Sequence, residues 1–122
     1  WLRLMFVEDD RGDDVLRLGL ALPRAWLADG QSPSLERAAT HFGPMTIAFA
    51  SQAKSGQITA TIDPPTRRLP KETVLRFRHP GEKPLRKVEV NGKAWDRFDP
   101  AREWVLLPPL KERTTVVAHY DP

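Results

Sequence analysis

The reading of the fold turns on KVEVNGKAWDRFDPAREWVLLPP, residues 87–109. Asn91-Gly92 is the strongest dipeptide for a two-residue type I′ hairpin turn, because both central residues of that turn need positive φ. It sets Val90 opposite Lys93 and folds Trp95 back beside Val88. A strand over 85–90 leads into the turn, with Val88 and Val90 inward. Residues 96–100 form a second loop, 103–107 form another strand, and Pro108-Pro109 ends it, since proline lacks the N–H a ladder needs. This strand-turn-strand rhythm is that of antiparallel β-structure.

The same rhythm extends upstream. Met45, Ile47 and Phe49 alternate with Thr46, Ala48 and Ala50, and Ile58, Ala60 and Ile62 alternate with Thr59, Thr61 and Asp63. Period 2 marks half-buried strands, and the loop at 53–56 makes the two a hairpin. Residues 64–71, rich in proline and arginine, read as a crossing from one sheet to the other. Over 73–79, Leu75, Phe77 and His79 share one face, and Val74, Arg76 and Arg78 the other. Near the start, the apolar run 1–7 and the alternating Leu16, Leu18, Leu20 and Leu22 flank a polar loop, which reads as a first hairpin. Val116, Ala118 and Tyr120 share a face of the closing strand, 114–120.

Two segments depart from this pattern. PRAWLADG, residues 23–30, reads as one helical turn, with proline suited to its entry and glycine to its exit. Trp26 and Leu27 would tuck under the sheet edge. SLERAATHFG, residues 34–43, has a capping serine and an exit glycine, yet no 3.6-residue period. The total is eight or nine short strands with turn signals every eight to twelve residues, the pattern of an all-β antiparallel β-sandwich. At 122 residues the chain has the usual size of one domain, 1–122.

Composition narrows the function classes. There are no cysteines, which excludes disulfides, thiolate metal sites and a thiol nucleophile. The net charge is +3 and the basic side chains are scattered, unlike the clustered basic face of a nucleic-acid binder. No apolar run approaches the ~20 residues of a membrane-spanning helix. The twelve prolines sit at segment edges. Because the chain starts at Trp1, the expectation is a segment of a longer protein.

The chemistry-bearing residues form no recognisable constellation. His41, His79 and His119 have no metal-ligand spacing and read as structural histidines at strand ends. The serines lie in loops with no base beside them, so a hydrolytic triad is disfavoured. Asp96, Asp99 and Glu103 are the candidate carboxylates for glycoside hydrolysis, but their place in one loop reads as solvated turn residues. Arg11-Gly12-Asp13 reads as part of a turn, and the four aspartates around it lack the spacing of a calcium loop. Among the tryptophans Trp1, Trp26, Trp95 and Trp104, packing against the core or a neighbouring domain is favoured over stacking on sugars. Trp95 and Trp104 stand within reach of one another across the loop.

Four stretches together carry a resemblance: PRAWLADGQ (23–31), HFGPMTIAFASQAKSGQITATIDPP (41–65), VLRFRHP (74–80) and VEVNGKAWDRFDPAREWVLLPP (88–109). They resemble the C-terminal β-sandwich that follows the (α/α)6-barrel catalytic domain in large bacterial glycoside-hydrolase-like proteins of the rhamnosidase and related kind. The resemblance implies a non-catalytic accessory module, and the residues themselves lead to no expectation of a cofactor or metal. It implies the catalytic domain of the same parent chain as partner, and an extracellular or periplasmic location. It also implies that residues 35–40 are extended. Nucleic acid and membrane are not expected as partners. Two other readings stay open: an independent carbohydrate-binding module contacting sugar through Trp95, Trp104 or Trp26, and a protein-interaction sandwich.

Overall fold

The computed structural model describes residues 7–8, 15–19, 23–40, 42–65, 67 and 70–121. Trp1, the 11–13 tripeptide with its neighbouring aspartates, Leu20, Leu22 and His41 lie outside the described residues. The described strands are β1 (Val7–Glu8), β2 (Val15–Leu18), β3 (Ser34–Ala38), β4 (Met45–Gln52), β5 (Gln57–Asp63), β6 (Glu72–Arg76), β7 (Lys87–Val90), β8 (Lys93–Trp95), β9 (Phe98–Asp99), β10 (Trp104–Leu107) and β11 (Thr114–His119). Two 3₁₀ turns complete the list, Arg24–Leu27 and Ala53–Ser55. The first is the expected helical turn: Leu27 is buried and Trp26 packs half-buried against the core.

The strands form two sheets, a five-stranded one in the order β1-β2-β6-β10-β9 and a six-stranded one in the order β3-β4-β5-β11-β7-β8. This is the expected β-sandwich. Period-2 alternation sets its inner faces. Met45, Ile47, Phe49, Ile58, Ala60, Ile62, Val88, Val116 and Ala118 face Leu16, Leu18, Leu75, Phe77, Val105 and Leu107, all buried in a shared core. Phe49 and Phe77 meet edge to face across the sheets, with ring centroids 6.0 Å apart, the arrangement the ring quadrupoles favour.

One pairing breaks the antiparallel expectation: β2 and β6 run parallel, Val15 beside Glu72 and Leu18 beside Leu75. After β2 the chain leaves this sheet, builds β3 to β5 in the other, and returns as β6 through residues 64–71. The return brings it in at the same end as β2. Gly19 ends β2 at φ +74, so the strand stops at Leu18 although the leucine alternation runs on.

The hairpin at Asn91-Gly92 forms as the sequence dictates, with φ of +50 and +81 and with Val90 opposite Lys93 and Val88 opposite Trp95. Segment 34–38 is a strand, and a bulge between Leu35 and Ala38 breaks its register. Arg37 sits there at φ +49 and its N–H donates to the Thr46 hydroxyl. The bulge removes the clean alternation, which is why the sequence showed neither period.

The two turn glycines separate conformational strain from crowding. A Cβ on Gly92 would meet nothing within 4 Å, whereas one on Gly19 would lie 2.6 Å from the Arg76 carbonyl oxygen. Gly92→Ala is expected to cost about 1 kcal/mol, the left-handed penalty alone. Gly19→Ala is expected to cost clearly more, about 3 kcal/mol, because backbone must also move. Urea unfolding of the two variants checks the order.

Candidate functional site

At one end of the sandwich, the inward faces of three strands are each continued, just outside the strand, by a polar residue. Glu103 continues the face of Val105 and Leu107, His79 that of Leu75 and Phe77, and Tyr120 that of Val116 and Ala118. All three are buried, at 1%, 4% and 5% exposure. Buried polar groups need partners, and apart from His79 Nε2, which has none among the described residues, these find one another. Glu103 Oε1 accepts from the His79 backbone N–H (2.7 Å) and the Tyr120 hydroxyl (2.8 Å). Glu103 Oε2 accepts from Arg24 Nη1 (2.9 Å), and the same nitrogen donates to the His79 carbonyl (2.7 Å). The His79 and Tyr120 rings lie 4.5 Å apart, tilted by 53°.

Glu103 therefore corrects the expectation of a solvated turn residue. It adopts φ +60, a conformation that costs a non-glycine residue about 1–2 kcal/mol, and the convergent donors hold it there. Its own carbonyl accepts the Phe77 N–H at 2.9 Å, which carries the β6–β10 ladder one residue further. With both oxygens engaged, the carboxylate is built to tie segments together rather than to move protons. The signal was present in the sequence, since 103, 105 and 107 are in phase.

Of the other two acids, Asp96 is exposed. Asp99 accepts from the Ala101 and Arg102 N–H groups at 3.1 Å each, the self-capping of a turn. His79 Nδ1 accepts from the Gly81 N–H at 2.8 Å, so the ring proton is assigned to Nε2. His119 Nε2 lies 2.6 Å from Glu89 on the outer face of the six-stranded sheet. Among the described residues, no three His, Cys, Asp or Glu side chains gather into a metal-binding group.

The candidate tryptophans take three different positions. Trp26 lines a depression of about 450 Å³ with Gln31, Ser32 and Pro33, and shares no lining residue with the other two. Trp95, on β8, packs half-buried on the core and donates its indole N–H to the Leu106 carbonyl at 3.0 Å, bonding the edge of one sheet to the other. Trp104 projects from the outer face of β10 opposite Arg76, and the Arg102 guanidinium lies 5.2 Å from its ring centroid. Trp95 and Trp104 thus stand on different sheets, and each lines a separate depression to which Phe98 of β9 also contributes. Phe98 was not singled out in the sequence because it lies in a loop with no alternation around it.

Comparison with known proteins gives a fold and a size relation. No family model matches, and no curated protein matches in sequence. Among solved structures the chain is similar to a GH127 β-L-arabinofuranosidase from Geobacillus stearothermophilus T6, with TM-score 0.57 and 14% identity over 98% of this chain. It is also similar to a structure described as a glycoside hydrolase, with TM-score 0.58 and 13% identity over 87% of this chain. The chain spans about one sixth of those structures, 17% and 16% of their lengths. At such identities the likeness is one of fold: this β-sandwich is of a kind found within glycoside hydrolase chains.

Removing the carboxylate in Glu103→Ala would leave the His79 N–H and the Tyr120 hydroxyl without their acceptor and is expected to cost about 2–4 kcal/mol. Tyr120→Phe, which removes one of three donors, is expected to cost about 1–2 kcal/mol. The pH dependence has two signs. Burial lowers the His79 pKa below 6.5, so its contribution is whole above pH 6.5 and is lost as pH falls, because the unfolded chain takes the proton first. Burial, then the Glu103 charge, raises the Tyr120 pKa above 10.0, so that contribution is whole below pH 10 and is lost above it. Urea midpoints measured across pH should show a plateau between these limits. The step just below pH 6.5 should shrink in His79→Asn.

Proposed function

We propose that this chain is a non-catalytic accessory β-sandwich of a carbohydrate-active, glycoside-hydrolase-like protein. It packs on the catalytic domain of the same parent chain and stabilises it, as the resemblance to the module behind (α/α)6 barrels implies. The observation that carries this reading is the chain-long overlay on a small part of much larger hydrolases, 98% of this chain against 17% of the arabinofuranosidase. The engaged Glu103 carboxylate, with Asp99 spent on a turn, supports a non-catalytic role.

The outer face of the five-stranded sheet is the surface we assign to the catalytic domain. Val15, Arg17, Glu72, Val74, Arg76, Trp104 and Leu106 form it, all partly exposed. The opposite sheet presents Thr46, Thr59, Thr61, Thr115, Lys87 and Glu89 instead. Aromatic and arginine enrichment with lysine depletion is the composition of an interface centre; the first face has it and the second does not. The polarity of the catalytic domain's matching surface follows: apolar in the middle, carboxylate-bearing at the rim.

The test compares two contexts. Val74→Asp and Leu106→Lys are expected to lower the Tm of the intact parent protein by a larger margin than that of the isolated chain, by about 4 °C or more. Equal losses in both contexts would mean that the face covers nothing.

A further inference from the structure

The first 3₁₀ turn and the chain that follows it enclose a depression of about 450 Å³, lined by Ala25, Trp26, Gln31, Ser32 and Pro33. Its size falls within the range of small-molecule sites, about 300–1,000 Å³. Backbone bonds hold its walls. The Trp26 N–H donates to the Pro23 carbonyl at 3.1 Å, the Gln31 N–H to the Ala28 carbonyl at 3.0 Å and the Gly30 N–H to the Ser51 carbonyl at 2.9 Å. The Gln31 and Pro33 carbonyls accept from the Ser51 and Phe49 N–H groups of β4, at 2.9 and 2.8 Å. Leu27 is buried in the core, and Arg24 fastens the turn to Glu103. The depression is therefore formed before any ligand arrives, which keeps the ordering cost of binding low.

Three properties of the lining narrow the ligand. Trp26 and Pro33 are both half-buried, which leaves apolar ring surface at the walls. Gln31 and Ser32 are exposed, and among the described residues no group engages the Gln31 amide or the Ser32 hydroxyl. No ionisable side chain lines the depression, although 29% of the chain is charged. The depressions beside Trp95 and Trp104, by contrast, each include charged residues. The Trp26 depression also shares no residue with the face assigned to the catalytic domain, so both can be occupied by different partners.

We infer that this depression is a binding site for one neutral sugar unit of an oligosaccharide. A sugar ring brings a C–H face for the Trp26 indole and the Pro33 ring. Its neighbouring hydroxyls suit the Gln31 amide, which both donates and accepts, and the Ser32 hydroxyl. A charged sugar would find no counter-charge there. An extended peptide added to the sheet edge fits less well. Pro33 has no N–H, and the Gln31 N–H and the Gln31 and Pro33 carbonyls are already engaged, so Ser32 alone offers backbone groups before β3 begins. Beyond it, the bulge at Arg37 interrupts β3, a feature that blunts an edge. This assignment rests on the carbohydrate-active reading for its ligand class and extends it to named residues.

The test uses the 122-residue chain alone, so it succeeds or fails independently of whether the module stabilises a catalytic domain. The ¹⁵N-labelled chain is titrated with arabinohexaose, xylohexaose and cellohexaose, and, as rival occupants, with hexagalacturonate and a proline-rich hexapeptide. The expected result is saturable shifts of the Trp26 indole N–H, the Gln31 side-chain amide and the Ser32 backbone amide with at least one neutral sugar. Affinity should fall about tenfold in Trp26→Ala, a loss of about 1.4 kcal/mol. It should fall about threefold in each of Gln31→Ala and Ser32→Ala, which remove one neutral hydrogen-bonding group and spare the packing. It should be unchanged in Asp96→Ala, which alters the depressions beside Trp95 and Trp104. Shifts with hexagalacturonate or the peptide alone, no saturable shift with any of the three neutral sugars, or sugar binding indifferent to Gln31→Ala and Ser32→Ala would overturn the assignment.

Discussion

A carboxylate at one end of the sandwich fixes how its parts meet. The Glu103 side chain, immediately before β10, receives the backbone beyond β6 through His79, the residue after β11 through Tyr120, and the first 3₁₀ turn through Arg24. Two of these segments belong to the five-stranded sheet and one to the six-stranded sheet, so the group spans the core rather than sitting beside it. Apolar packing alone is indifferent to small slides of one sheet over another, because burial scales with area and has no direction. A charged acceptor with three fixed donors does not tolerate such a slide, since an unmatched donor or charge in this place is expensive.

The strain at Glu103 follows from the same constraint. Left-handed backbone at a glutamate opposes folding, yet it is the conformation that aims the carboxylate inward while its carbonyl still receives the Phe77 N–H. The Trp95 indole plays a complementary part elsewhere. By bonding the Leu106 carbonyl it ties the β8 edge of one sheet to β10 of the other. Between the two ties lies the stretch 96–102, whose Phe98 pairs with Val105 and packs partly on the core.

Much of this was legible in the residues. Alternation identified β4, β5, β6 and β11 and their inward faces, and Asn91-Gly92 gave the β7–β8 register, because period and turn chemistry are local properties. The parallel β2–β6 pair was not legible, since it depends on where the chain returns after three strands in the other sheet. The β3 bulge erased the period that would have marked it. Glu103 was misread for a different reason: its inward phase was visible, but burial of a carboxylate is plausible only once its donors are known. Those donors come from positions 24, 79 and 120. The division of Trp95 and Trp104 between two sheets was not legible, because it follows from the long-range pairing of β10 with β6 and of β7 with β11.

Native-state hydrogen exchange of the Phe77 and His79 amides tests the central claim most directly. If the Glu103 cluster fastens the sheets, both amides exchange only through global unfolding, with the same opening free energy as the mid-strand amides of β5 and β11, and Glu103→Gln lowers all of them together. Exchange of these two amides through a separate, low-energy local opening, with the β5 and β11 amides unaffected by the substitution, would contradict it.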